Sequence, residues 1–388
     1  MILLMGVHMV LARLAKRKWL LFLGIAFVWQ LTLSIAGYLA SGGQLLAHTM
    51  FWDGGWYEAI LKGGYFNNPS APVFYPLFPL LIWILQQATF HLLSLATLGI
   101  VINICALWLA LVALYKIGRK IVTGHEWLVV LLFLMAPAAF FMHMFYTEAV
   151  FCAIAFWAYW FALERKWLPM AALLALLTAT RLPSMLIVGL CALEYLRAHQ
   201  WSVTNTFKDK TTLLFLLAPL GLIAYGLFLY VVRGDFLYMF HAYASEQLWM
   251  YQSFNPNIIA TIYQAGIESI RIVTGHEGQI VNTLFPLFSL AVLVTASIYA
   301  IIVARQKQSE VLLPLGLFGL AAMVLFTLNN NIVSVHRYVL PCLVVFVAIA
   351  HMYAKKAWAR PFVWAFIALC ATQQIVLFLL FTARRFAG

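Results

Sequence analysis

The chain has 388 residues, of which 65% are hydrophobic and only 9% are charged. Soluble domains carry about 25% charged residues, so this composition excludes a soluble globular protein and predicts a polytopic membrane protein built from apolar helices. The formal net charge of +12 does not indicate a nucleic-acid partner, because lysine and arginine form small clusters between the apolar runs, as they do in juxtamembrane loops.

The first apolar run, 19–39, is predicted to be a membrane-spanning helix whose basic flank lies on the cytoplasmic side. The segment that follows, 40–75, is then the first outer loop. The next two apolar runs are 77–93 and 95–115, and a basic cluster follows the second. If both runs crossed the membrane, this cluster would face outward. We therefore expect 77–93 to be a helix that dips into the membrane and 95–115 to be a span.

A helical hairpin is predicted next, from spans at 127–145 and 149–163. Two shorter apolar segments, 168–180 and 184–196, lie on either side of Arg181 and are too short to span comfortably. This pattern predicts a pair of broken helices that line a cavity, because irregular backbone within a membrane is tolerated only where protein or water can pair with it.

The remainder of the chain is predicted to hold five more spans and a second long outer loop. The spans are 213–232, 281–304, 311–328, 338–354 and 361–382, and the loop is 233–280. Within that loop, 256–273 has the pattern of a helix that lies on the membrane surface. The predicted fold is therefore an all-α polytopic membrane protein with about 11 membrane segments, organised as a single domain over 1–388.

Several unusual polar residues fall on the predicted outer side. Only 12 residues of the chain are acidic, and a carboxylate near the bilayer is costly unless it is solvated, paired or used in chemistry. Asp53 lies in an aromatic, glycine-rich part of the first outer loop, and Glu148, Arg181 and Arg337 share its side of the membrane. A carboxylate can deprotonate a hydroxyl nucleophile and arginine can bind phosphate, which together suit a reaction on a phosphorylated lipid.

Each of these residues also fits a structural role. Asp53 could cap a helix or form an Asp-Gly turn, and Glu148 could pair with a basic group or cap the next span. Arg181 could be a snorkelling structural charge, Arg337 could be an interfacial anchor, and the aromatic residues of the first loop could be an interfacial belt. The functional interpretation is favoured because these groups come from separate segments and share one membrane face.

The order of motifs resembles that of PIG-V-like mannosyltransferases, which read W-D, W-Y, G-Y and F-F-P-x-x-P in the first loop. The matching stretches here are Trp52-Asp53-Gly54-Gly55-Trp56-Tyr57, Gly64-Tyr65, Phe74-Tyr75-Pro76-Leu77-Phe78-Pro79, Tyr146-Thr147-Glu148, Ala179-Thr180-Arg181 and His336-Arg337-Tyr338. Two positions depart from the family pattern. Tyr75 stands where a second phenylalanine is frequent, and His336 stands where a small residue or proline is common.

The resemblance implies a GT-C fold and an inverting glycosyltransferase in which Asp53 matches the catalytic acidic position. It implies a polyprenyl-phosphate sugar as donor, with mannose as the expected sugar, and a lipid or glycan hydroxyl as acceptor. The expected location is a bacterial inner membrane with the site facing the periplasm. Arg181 and Arg337 are expected to contact the donor phosphate. The other expected substrate-binding residues are Trp52, Trp56, Tyr57, Glu148 and His336.

Two other functional classes stay open at this point. A lipid or solute transporter would also explain broken helices and charges at membrane level, but its site would lie near the bilayer midplane. A non-catalytic membrane scaffold would leave the Asp53 loop unexplained. A divalent metal is a further option, because Asp53 and Glu148 could together hold magnesium or manganese through oxygen ligands.

Overall fold

The computed structural model describes residues 18–66, 68–245, 254–275 and 280–385. This part of the chain contains seventeen α-helices joined by turns and short 3-10 helices, and it contains no named β-strand. In chain order the helices are α1 Lys18–Ala40, α2 Asp53–Gly63, α3 Leu77–Ala88, α4 Leu95–Ile121, α5 Glu126–Leu134, α6 Glu148–Leu163, α7 Trp167–Leu177, α8 Ser184–Ala198, α9 Val203–Lys208, α10 Leu220–Arg233, α11 Tyr238–Ser245, α12 Ile258–Val273, α13 Leu284–Arg305, α14 Leu312–Thr327, α15 Val335–Tyr338, α16 Leu343–Lys355 and α17 Ala359–Thr382.

The prediction of an all-α membrane protein is confirmed. Five helical segments among the described residues are long and apolar enough to cross a membrane. They are Lys18–Ala40, Leu95–Ile121, Lys210–Arg233, Ile280–Arg305 and Ala359–Thr382. The larger total of about 11 membrane segments and the GT-C arrangement remain predictions.

Helices α1 and α4 pack in opposite directions, which separates two ends of the molecule. The indole nitrogen of Trp108, in the middle of α4, donates to the carbonyl oxygen of Trp19, early in α1, at 2.8 Å. Lys18 at the start of α1 donates to the hydroxyl of Tyr115 near the end of α4. The end of α1 and the start of α4 consequently lie together at the other end, where the first loop, 40–75, begins.

One predicted span differs from the structure. The helix expected over 127–145 ends at Leu134, and the chain continues in turns and a 3-10 helix at Ala139–Met142. Buried carbonyl oxygens outside a helix need other partners, and three buried amide side chains supply them. Gln374 donates to the carbonyls of Leu134 and Ala136, Gln30 to that of Met142 and Asn103 to that of Met144.

The predicted broken pair is present as α7 and α8, with 178–183 between them. The carbonyl oxygen of Ala179 in this break accepts a hydrogen bond from the backbone N–H of Leu77 at 3.0 Å. Leu77 is the first residue of α3, which corresponds to the predicted membrane-dipping segment 77–93. Its 12 residues give a length of about 18 Å, shorter than a hydrocarbon core of about 30 Å, so α3 alone is too short to cross.

The helix predicted over 256–273 is present as α12. Its inward face is small or polar, with Thr261, Ala265 and Ser269 buried. Its outward face is apolar: Ile259 is 82% exposed and Val273 is 73% exposed. Apolar residues on the outer face and small polar ones on the inner face are the arrangement expected of a helix that contacts lipid.

Candidate active site

Four charged side chains from distant parts of the chain meet in one cluster. Arg337 bridges two carboxylates: its Nη1 lies 2.8 Å from Oδ2 of Asp53, and its Nε lies 3.2 Å from Oε1 of Glu148. The same Oε1 of Glu148 lies 2.7 Å from Nη1 of Arg181. The result is a continuous chain of alternating charges, Asp53–Arg337–Glu148–Arg181. Sequence analysis selected all four residues, and the structure brings them into direct contact.

Each member of the cluster is placed at the end of a helix or in a break between helices. Asp53 is the first residue of α2, Glu148 is the first residue of α6, and Arg337 lies in the one-turn helix α15. Arg181 lies in the break between α7 and α8. A carboxylate in the first turn of a helix is favoured by the partial positive charge there, so the sequence places both acids where their ionised forms are stabilised locally.

The exposed fractions of the four side chains separate their possible roles. The side chain of Asp53 is 26% exposed, whereas that of Glu148 is 4% exposed. The side chain of Arg181 is 16% exposed and that of Arg337 is 9% exposed. Asp53 is therefore the accessible carboxylate and Arg181 the more accessible arginine. Glu148 and Arg337 form the interior of the cluster.

The cluster borders a cavity of about 430 Å³. One part of the wall is polar and carries the four charged residues with Tyr57, Thr147, Thr180, Ser334 and Asn329. The lining also includes apolar and aromatic side chains, which are Val73, Phe240, Phe254, Leu325, Phe326 and Leu328. The cavity thus offers both charged and apolar side chains to one molecule, which matches a ligand that has a polar head and a lipid tail.

Aromatic rings surround both arginines. The guanidinium carbon of Arg337 lies 5.4 Å from the ring centre of Phe141, 5.5 Å from that of Tyr146 and 5.7 Å from that of Tyr338. Arg181 lies 5.4 Å from the same Tyr338 ring. Contacts between a cation and a ring contribute more where water is excluded, so these rings stabilise the charged arginines and limit their movement.

The first loop is docked tightly against the segment that precedes Glu148. The backbone N–H of Phe145 donates to the carbonyl oxygen of Thr49 at 2.9 Å. A Cβ atom on Gly54 would approach that Thr49 oxygen to 2.9 Å and would contact Phe145. Only glycine fits there without displacing the backbone, which explains why a glycine follows Asp53.

A buried histidine pair strengthens this docking, and sequence analysis did not identify it. Nε2 of His48 lies 3.1 Å from Nε2 of His143, and Nδ1 of His143 lies 2.6 Å from Oε1 of Gln30. Burial lowers the pKa of His48 to about 4, so this imidazole is neutral at physiological pH. Gly37 is the residue that makes room for this pair, because any Cβ there would collide with the ring of His48. That contact is visible only in three dimensions, so the sequence alone did not indicate the pair.

Burial also changes the proton affinity at the charged cluster. Although Asp53 is partly accessible, the protein around it raises the pKa of its carboxyl group. The charge of Arg337 opposes this rise and the charge of Glu148 adds to it. Burial lowers the pKa of Arg337, but the charges of Asp53 and Glu148 outweigh burial and the net direction is upward. Arg337 is therefore a permanent cation, and Asp53 is a stronger base than an ordinary aspartate.

The other residues predicted to bind substrate lie in different places. Tyr57 lines the cavity, but the described cavity wall does not include Trp52, Trp56 or His336. Trp52 is 42% exposed, and Trp56 stacks on Phe74 with ring centres 5.7 Å apart.

His336 is buried beside a separate small cavity, together with Pro137, Phe288 and Cys370. Elsewhere in the two predicted outer loops, Glu58 pairs with Lys62 and His241 pairs with Asp235, both in solvent-accessible positions. Glu246 and Gln247 of the second loop lie outside the described residues.

The side chains of the charged cluster do not fit the divalent metal ion that the sequence suggested as an option. A guanidinium group, which is itself a cation, lies between Asp53 and Glu148 and contacts both carboxylates. Within the described ranges, no group of three His, Cys, Asp or Glu side chains is arranged to hold a metal ion. In this cluster the positive charge that balances the carboxylates therefore comes from arginine.

Comparisons with known proteins assign no family to this chain. A scan against protein-family models finds none that matches this chain, and a search of curated proteins finds no match.

Proposed function

We propose that this protein is an inverting membrane glycosyltransferase of the GT-C type. It moves a sugar from a polyprenyl-phosphate carrier to a hydroxyl group of a lipid or glycan acceptor. The observation that supports this function most directly is the accessible carboxylate of Asp53, held by Arg337 at the edge of a cavity that both charged and apolar side chains line. The motif order shared with PIG-V-like mannosyltransferases makes mannose the first sugar to test and a bacterial periplasmic face the expected location.

In the proposed reaction the acceptor hydroxyl oxygen attacks the anomeric carbon of the sugar. The bond between that carbon and the phosphate oxygen breaks, and the hydroxyl proton passes to the carboxylate of Asp53. The products are the glycoside, with inverted anomeric configuration, and polyprenyl phosphate. Because a phosphate monoester is a good leaving group, the reaction needs no protein acid to protonate it.

The two arginines take different roles in this proposal. Arg181 is the more accessible cation of the cluster, so it is assigned to the phosphate, whose growing negative charge it stabilises as the bond breaks. Arg337 contacts both Asp53 and Glu148. Its main role is therefore to hold the base in position and to neutralise the second carboxylate, with any phosphate contact secondary.

The apolar wall of the cavity suits the carrier lipid. Phe240 and Phe254 come from the second outer loop, and Leu325 and Phe326 come from the last turn of α14. These side chains line the same cavity as the charged cluster and would surround the first isoprene units next to the phosphate. Helix α12, whose outward face is apolar, would lie at the lipid side of this wall.

The direct test is a transfer assay with purified protein in liposomes. A polyprenyl-phosphate mannose labelled in the sugar is supplied with a membrane lipid extract as acceptor source. We expect loss of label from the donor, release of polyprenyl phosphate and a product with inverted anomeric configuration. A transporter would move the labelled lipid between leaflets without breaking the sugar–phosphate bond, so an intact donor after redistribution would reject the enzyme.

The pH dependence of transfer follows from the raised pKa of Asp53. The base must be ionised to accept a proton, so the rate should fall as pH decreases through that pKa. Because burial moves this pKa upward, the decline should be centred above pH ~4, where an ordinary aspartate titrates. The measurement is kcat/KM for the donor against pH, which reports ionisation of the free protein, with the unfolding temperature recorded at each pH. A rate that stays constant to below pH ~4 in folded protein would contradict Asp53 as the base.

A further inference from the structure

The residue before Asp53 has a backbone conformation that is rare for its type. Trp52 has φ 55° and ψ −116°, which are the dihedral angles of the first central residue of a type II′ turn. The backbone N–H of Gly54 donates to the carbonyl oxygen of Phe51 at 3.1 Å, and this hydrogen bond closes the turn. Asp53 is therefore the second central residue of a tight turn as well as the first residue of α2.

Glycine dominates the first central position of such turns because a side chain at positive φ collides with the backbone. A tryptophan there stores strain, and strain of this kind persists only where surrounding contacts hold the backbone in place. Strained residues cluster at functional sites, and this one is bonded directly to the proposed base.

The hydroxyl group of Tyr146 makes hydrogen bonds on both sides of Trp52. It accepts from the backbone N–H of Asp53 at 3.0 Å and donates to the carbonyl oxygen of Phe51 at 3.1 Å. Its side chain is 1% exposed, and its ring lies under Arg337. One side chain thus contacts the backbone of the base and the cation that binds the base.

Tyr146 is itself held firmly. Its ring packs against those of Phe141 and Phe381, with ring centres 5.4 Å and 6.1 Å apart. Two residues earlier, the carbonyl oxygen of Met144 accepts a hydrogen bond from Asn103 in α4. The hydroxyl is therefore fixed relative to the spanning helix α4, whereas the turn that it binds belongs to a loop.

We propose that Tyr146 is a positioning residue that keeps the strained Phe51–Gly54 turn closed and so fixes the carboxylate of Asp53 beside Arg337. The proposal rests on the proposed function of Asp53 as the base. Without the hydrogen bonds from Tyr146 the turn could open, and the carboxylate of Asp53 would then spend less time aligned with the acceptor hydroxyl. Displacement of a reacting group by about 1 Å can cost about 100-fold in rate.

The first test is Tyr146→Phe, which removes only the hydroxyl and keeps the ring under Arg337. We expect amide hydrogen exchange at Asp53 to become about 10-fold faster, because its hydrogen-bond acceptor is lost. We expect the maximal transfer rate to fall about 10- to 100-fold with the KM for the donor little changed. Tyr159→Phe is the matched control: its hydroxyl is buried in α6 and makes no hydrogen bond within the described structure, so both readouts should stay at the native level.

A second test asks whether relief of strain replaces the hydroxyl. In the Tyr146→Phe background, Trp52→Gly should restore part of the transfer rate, because glycine adopts positive φ without strain. Trp52→Ala removes the same indole but keeps the strain, so it should restore nothing. Equal effects of glycine and alanine would overturn the proposal.

The two readouts separate the possible failures. If Tyr146→Phe transfers sugar slowly but keeps native amide exchange, Tyr146 acts on the substrate directly. If it exchanges fast but transfers at the native rate, the turn does not position the base. Either result overturns the proposal. If Asp53→Asn transfers sugar at the native rate, the proposed base is wrong. In that case, unchanged exchange in Tyr146→Phe would also reject the role of Tyr146 in the turn.

Discussion

Asp53→Asn is expected to lower the rate of sugar transfer by at least 100-fold. General-base catalysis contributes about 100- to 10,000-fold, and asparagine cannot accept the proton. Asparagine has nearly the shape of aspartate, and its side-chain oxygen can still accept the hydrogen bond that Arg337 donates to Asp53 at 2.8 Å. Donor affinity should therefore change little. The measurement is the transfer rate of purified variant at saturating donor, with donor binding measured separately.

Glu194→Gln is the matched control for Asp53→Asn. Glu194 is a buried carboxylate, 1% exposed, that pairs with Arg197 in the last turn of α8. This substitution also neutralises a buried, arginine-bound acid, but it lies outside the cavity wall. It should lower thermal stability and leave transfer by the folded protein unchanged. Near-native transfer by Asp53→Asn, together with a native unfolding temperature, would assign Asp53 to the turn alone.

The sequence was sufficient to locate the parts of the site that depend on local chemistry. The short apolar segments around Arg181 predicted the break between α7 and α8, because neither is long enough to span. Asp53 and Glu148 stood out because carboxylates are rare in this chain and costly near a membrane. Basic clusters placed these residues on one face. The pairing of Arg337 with Asp53 was beyond prediction, since the two are 284 residues apart.

Other features depend on tertiary contacts that leave no pattern in the sequence. His336 and Arg337 are neighbours in a one-turn helix, and successive helical residues point about 100° apart, so only one of them faces the cavity. The apolar stretch 127–145 is an exception, because it reads as a continuous span although it contains Pro137. The helix ends at Leu134 because proline has no backbone N–H to continue the helical hydrogen bonds, and a glutamine 240 positions later pairs with the carbonyl oxygen of Leu134. The Trp52 turn is hidden because glycine, not tryptophan, is the residue expected at that position.

The two cluster arginines should respond differently to the same substitution. Arg337 uses two nitrogen atoms on two different carboxylates, at 2.8 Å and 3.2 Å. Lysine has a single nitrogen and cannot reproduce this fork. Arg337→Lys should therefore leave one carboxylate poorly compensated, which lowers the unfolding temperature and the transfer rate together. Complete loss of one partner of a buried pair costs about 3–5 kcal/mol, and this charge-preserving variant should lose part of that.

Arg181→Lys should instead act on donor binding. Arg181 keeps 16% of its side chain exposed at the cavity and contacts Glu148 through one nitrogen, which a lysine can also do. What lysine cannot provide is bidentate binding of phosphate. A hydrogen bond to a charged group contributes about 1.5–3 kcal/mol, so donor affinity should fall about 10- to 100-fold with a small change in unfolding temperature.

Donor affinity and unfolding temperature, measured side by side for both variants and for Arg197→Lys, separate these effects. Arg197 binds both oxygens of Glu194 in α8, outside the cavity wall. Its lysine variant should therefore lose stability without losing donor affinity. The expected pattern is weak donor binding for Arg181→Lys, early unfolding for Arg197→Lys, and early unfolding with slow transfer for Arg337→Lys. If Arg181→Lys binds the donor as tightly as the native protein, the phosphate site lies elsewhere, and the accessible arginine of the cluster serves only to neutralise Glu148.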